Sequence, residues 1–209
     1  MRGSPKWARR AVSANRVIAA IPSPSSVSTI NPRVFSLTRN GSAGHYGSRM
    51  DEPLIINVAD APAFRRPGRA TLIRFEPEDP KWPDTGVNIH VLEPGQPNSL
   101  YHSEPVQEDF LVLYGECVVI LDGEERPLRQ WDFVHCPAGT EHVFVGAGDG
   151  PSAVLMIGSR REVAAHYPVN EVAARYDASV ASPTDDPLEA YASWRREARR
   201  ETGNPWPLE

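Results

Sequence analysis

From Leu54 onward the chain is cut into short apolar runs, each closed by proline, glycine or aspartate. This punctuation constrains the fold more than any other feature. Runs this short suit strands rather than helices, and a recurrence every 8–12 residues or so marks an all-β sandwich or barrel. Leu54–Val58, Ala70–Phe75, Val87–Leu92, Phe110–Tyr114, Cys117–Leu121, Trp131–His135, His142–Val145 and Ala153–Ile157 read as strands. Asp122-Gly123 is a strong hairpin signal. An all-helical bundle is excluded by 21 prolines in 209 residues, because proline breaks helix interiors. No stretch of about 18 apolar residues could form a membrane-spanning helix. The tail changes period: Glu162–His166, Val169–Ala181 and Pro187–Thr202 are expected as helices, the last begun by Asp185-Asp186 and stopped at Gly203.

The net charge of −5 hides an asymmetry. Residues 1–49 carry eight Lys or Arg and no acid, leaving 14 basic and all 27 acidic residues for the rest. A body that acidic repels nucleic acid and acidic membranes, so neither is an expected partner. The break falls at Met50-Asp51. The first 49 residues read as a misassigned start upstream of Met50, as an organelle transit peptide, or as a basic arm. In each case a disordered leader outside the fold is expected. The chain thus divides into 1–49, a β-domain over 50–160 and a helical extension over 161–209.

The strand faces carry further information. Glu108, Phe110, Val112 and Tyr114 are expected on one face, Leu111 and Leu113 on the other. With Val118 and Ile120 alternating with Cys117, Val119 and Leu121, both faces of this hairpin are apolar. One can line an interior. The other needs a cover, from the tail helices or a second subunit.

The chemistry concentrates between Gly95 and Gly146. His102 and Glu104 are two apart on an extended segment and so share a face. Glu108 opens the next strand, and the turn Pro137-Ala138-Gly139 precedes His142 at a strand start. Two imidazoles and two carboxylates converging on one mouth match a divalent-metal site. The alternative is a hydrogen-bonded polar cluster, with Glu104 an outer acceptor or a base. Cys117 and Cys136 read as core thiols, and His135 as a wall residue.

In these residues the sequence resembles the cupin superfamily. The family's first motif is G, five residues, H-x-H, three or four residues, E, six residues, G. Here His102-x-Glu104, three residues, Glu108, six residues, Gly115 fits, with Gly95 one residue farther back. The second motif is G, five residues, P-x-G, two residues, H, three residues, N, matched in spacing by Trp131, Pro137-x-Gly139, His142 and Gly146. The chain departs at Glu104, Trp131 and Gly146, where the family has His, Gly and Asn. The resemblance implies an antiparallel jelly-roll β-barrel with a metal in its mouth, held by His102, Glu104, Glu108 and His142. Fe(II) or Mn(II) suits such a set best, with Zn(II) or Ni(II) as alternatives. The expected function is a metal-dependent enzyme on a small organic molecule, with oxygenase ahead of isomerase or lyase. The alternative is a non-catalytic metal- or small-molecule-binding module. A homodimer and a cytoplasmic location complete the expectation.

Overall fold

The computed structural model describes residues 53–65, 68–77, 79–197 and 201–208. The leader over 1–49 and the boundary at Met50 lie outside the described residues. The strands are β1 (Ala63–Arg65), β2 (Thr71–Arg74), β3 (Thr85–Leu92), β4 (Glu108–Tyr114), β5 (Glu116–Leu121), β6 (Glu124–Arg129), β7 (Phe133–Cys136), β8 (His142–Ala147), β9 (Ser152–Ser159) and β10 (Glu201–Thr202). Two antiparallel sheets form, in the orders β10-β1-β2-β3-β9-β4-β7 and β6-β5-β8. They make a jelly roll of two facing sheets rather than a closed barrel. The free edge of β8 is extended by the segment before β4, through bridges Pro97–Val145 and His102–His142.

Period-2 alternation sorts the apolar residues into layers. Phe110 and Val112 of β4, Cys117 and Val119 of β5, Phe144 of β8, and Val154 and Met156 of β9 form the core between the sheets. The outward residues Ile73, Ile89, Val91 and Ala153 pack with Leu113, Leu155, Val58, Trp206 and Leu208. The outer face of β5 and β8, with Ile120, Val143 and Val145, is covered by Val172 and Ala173 of a short helix. The chain's own ends therefore cover most of what the two-sided apolar hairpin would expose. Cys117 and Cys136 are free, buried thiols within the inner core.

Several local expectations change. Leu54–Val58 forms no strand; a 3-10 turn capped by Asn57 begins at Val58. A register shift between Val112 and Tyr114 sends Tyr114 to the outer cluster with Leu113, off the inner face. Strand β6 carries almost no apolar signal, because it is an exposed edge with Pro127 in it. It exists because Asp122 and Gly123 adopt φ of 48° and 82°, the left-handed pair that a tight hairpin needs. The tail is less helical than its pattern. Helix α1 is only Glu171–Ala174, capped by the Asn170 side chain. The chain then turns at Asp177, φ 56°, and the Ala178 N–H returns to the Ala173 carbonyl. Residues 162–166 are not helical, because His166 exchanges both backbone hydrogen bonds with Ser103. The last expected helix is two, α2 (Pro187–Ala190) and α3 (Ala192–Glu197), followed by β10 alongside β1. They part at Tyr191, whose hydroxyl accepts the Leu100 N–H at 3.2 Å. Tertiary docking, which no local pattern encodes, sets the boundaries at His166 and Tyr191.

Candidate metal centre

The centre lies where β4 and β8 begin. His102 and His142 are directly opposed on antiparallel backbone, each N–H donating to the other's carbonyl at 3.1 and 2.8 Å. That pairing puts both side chains on the inner face. The imidazoles lie 4.9 Å apart between ring centroids. Glu108, two residues before the inward Phe110, points to the same side. Ligating atoms of His102, Glu108 and His142 all lie within 4.8 Å of one another. Glu104 is adjacent but outside this trio, its carboxylate 3.9 Å from His102 Nε2.

The tautomers follow from the hydrogen bonds. His102 Nδ1 is 2.7 Å from the Leu100 carbonyl, and His142 Nδ1 is 3.1 Å from that of Thr140. A carbonyl only accepts, so each Nδ1 carries the proton and each Nε2 presents a lone pair inward. Burial keeps both rings neutral: it depresses His102 to about 3, helped by neighbouring His142, and lowers His142 as well. His142 Nε2 faces the Glu108 carboxylate at 3.4 Å. Burial, with Glu104 nearby, raises Glu108 to about 8, and burial raises Glu104 too. Two lone pairs and a carboxylate aimed at one point repel unless a proton or a cation lies between them. The donor set therefore fits a divalent metal, with nitrogen and oxygen ligands already oriented by backbone carbonyls.

Tyr167 was not apparent from sequence. It comes from the irregular segment before α1, and its ring stacks on His102 at 5.8 Å, closing that side of the centre. Phe110 backs His142 at 5.1 Å. His135 is no wall residue of this centre: it lies on the outer face of β7, its Nδ1 2.7 Å from Asp109 Oδ1. The departures from the motif have local causes. Gly146 passes so close to the Glu93 backbone that a Cβ would sit 2.2 Å from its carbonyl oxygen, leaving no room for asparagine. Trp131 keeps the left-handed backbone of the glycine it replaces, with φ 75°, and its side chain is exposed.

Residues 88–158 match the family profile of the cupin domain. No curated protein matches the chain. Among solved structures, one similar chain is a sugar phosphate isomerase of the cupin superfamily from Silicibacter pomeroyi. It is 31% identical, with 47% of this chain and 64% of that one covered, at a TM-score of 0.41. A polyketide cyclase from Streptomyces resistomycificus is 16% identical over 53% of this chain and 81% of its own, at 0.46. A protein with a double-stranded β-helix domain from Klebsiella pneumoniae is 21% identical over 55% and 96%, at 0.45. The chain thus spans less than two thirds of the isomerase. The cupin-domain match over 88–158 contains all three converging donors.

Proposed function

We propose that this protein is a divalent-metal-dependent enzyme acting on a small organic molecule, with His102, Glu108 and His142 as ligands and Glu104 as a fourth ligand or a base beside them. The observation that carries the reading is the convergence of two neutral Nε2 atoms and one carboxylate within 4.8 Å. Fe(II) or Mn(II) is the favoured ion for this mixed nitrogen and oxygen set, ahead of Zn(II) and Ni(II). Such an ion would polarise a bound oxygen or, as iron, support O₂ chemistry. The protein's own part is orientation and proton handling. Leu100 and Thr140 hold the imidazoles, Tyr167 and Phe110 restrict water, and Glu104, raised by burial, can hold a proton near substrate. Oxygenation is the first reaction to test, before isomerisation or elimination.

Protein purified without chelator should carry close to one divalent ion per chain by elemental analysis, and His142→Ala should lose most of it. Wild type that stays empty after incubation with Fe(II), Mn(II), Ni(II) and Zn(II) would remove the basis of the reading. Oxygen uptake by the iron-loaded protein with a panel of small organic acids, phenols and polyols, above a His102→Ala control, tests the reaction. Metal retention without turnover of any kind would favour a binding module. The reading includes a homodimer and a cytoplasmic location. Exposed Phe133, beside Leu111 on the outer face of the larger sheet, supports the dimer. Among the described residues no helix is long and apolar enough to cross a membrane.

A further inference from the structure

Tyr167 is fixed from several sides, yet its polar atom is unused. Its N–H donates to the Thr184 carbonyl at 2.9 Å, and its carbonyl accepts the Thr184 N–H at 3.1 Å. His166, the residue before it, exchanges a like pair of bonds with Ser103, which sits between His102 and Glu104. The backbone at 166–167 is therefore pinned both to the metal-centre segment and to residue 184. The ring is held as well. It stacks on His102 at 5.8 Å and 24°, and meets Tyr191 edge-on at 5.7 Å and 86°. Tyr191 is itself anchored by the Leu100 N–H and packs on Trp194 at 5.2 Å. These contacts set the direction of the phenol before any ligand arrives.

Tyr167 is 5% exposed, a burial at which a tyrosine hydroxyl ordinarily has a partner. Among the described residues the Tyr167 hydroxyl has none. It is not sealed inside the protein either, unlike the unpaired hydroxyl of Tyr101. Burial, then the charge of nearby Glu104, raises its pKa, so the group stays a donor. Glu104 lies in turn 3.9 Å from His102 Nε2. A phenylalanine would supply the same packing on His102 and Tyr191. The hydroxyl is the part that packing does not explain, and an oriented donor beside a metal-ligand set is a device for holding a ligand's oxygen.

We propose that Tyr167 binds substrate directly, its hydroxyl donating a hydrogen bond to an oxygen of a small ligand seated between Glu104 and the metal donors. It orients that ligand and selects for one with an acceptor oxygen next to the atom that meets the metal. This role presupposes the metal centre proposed for His102, Glu108 and His142. The test uses the full-length chain loaded with Co(II), which lies between Fe(II) and Ni(II) in affinity for such donors and whose visible absorption reports ligand binding without turnover. The probes are acetohydroxamate, which offers two adjacent oxygens, and imidazole, which coordinates through nitrogen and leaves no acceptor. Tyr167→Phe should melt with wild type, take up the same cobalt and bind imidazole equally. It should bind acetohydroxamate about tenfold more weakly, the loss of one charge-assisted hydrogen bond. With cobalt bound, equal acetohydroxamate affinity in the two proteins, equal weakening of both probes, or no acetohydroxamate binding to wild type at millimolar concentration would overturn the role of Tyr167 and leave the metal centre standing. A marked fall in melting temperature would also overturn it, because the hydroxyl would then be engaged within the fold. Wild type that takes up no cobalt would overturn the metal centre and this role together.

Discussion

Metal uptake at the His102–Glu108–His142 centre should release a proton, and Glu108 should supply it. With its carboxyl raised to about 8 by burial and by Glu104, Glu108 is about nine-tenths protonated at pH 7 in the metal-free protein. A carboxylate must be ionised to ligate, so metal competes with that proton. Both histidines are depressed, His102 to about 3, and stay neutral throughout the working range. Glu108 alone then shapes the profile among the three. Apparent affinity should rise about fifty-fold from pH 6 to pH 8 and flatten above about pH 9. The sign for stability follows. A carboxyl raised in the folded state favours folding while it is protonated, and that contribution fades as pH rises from its unfolded value towards 8. The gap in melting temperature between metal-loaded and chelator-treated protein should therefore widen from pH 6 to pH 8. Competition titration with a chromophoric chelator gives the affinities, and calorimetry in two buffers of different ionisation enthalpy counts the proton. Glu108→Gln should bind weakly, with the slope gone. Glu104→Gln removes the neighbouring negative charge and should move the midpoint to lower pH. Wild-type uptake that is flat between pH 6 and pH 8, or a slope that survives in Glu108→Gln, would refute the reasoning.

Three further outcomes can be checked on the same protein. Trp131→Gly should stabilise the fold by about 1 kcal/mol in urea titration, because glycine tolerates the left-handed backbone and the indole is largely exposed. Gly146→Ala should cost about 3 kcal/mol or more, since its methyl would meet the Glu93 carbonyl at the bridge that extends β8; a change below about 1 kcal/mol would mean that the segment yields easily. Light scattering at micromolar concentration should give a dimer mass for wild type and a monomer or precipitate for Leu111→Glu. A wild-type monomer would mean that the chain's own ends suffice to cover the sheet.

How much of this could be read from the chain alone depends on the range of the interactions involved. Strand alternation is local, so the grouping of Phe110 with Val112, and of Cys117 with Val119, followed directly from the order of residues, as did the Asp122-Gly123 turn; which face of β5 meets β4 did not. The spacings around His102, Glu108 and His142 were equally legible, because a period of two decides which side chains share a face. What depends on distant segments was not. The shift after Val112 that turns Tyr114 outward arises from pairing with β9. Tyr191 divides what looked like one helix because its hydroxyl docks on Leu100, some ninety residues away. Tyr167 reaches His102 only because His166 pairs with Ser103. The proton positions on the two imidazoles, and the raised Glu108, belong to burial and to backbone carbonyls that no spacing reveals. Sequence determined which residues could meet at the mouth of the jelly roll. Tertiary structure decided which three converge and in what protonation state, because desolvation and orientation exist only once the chain has closed around them.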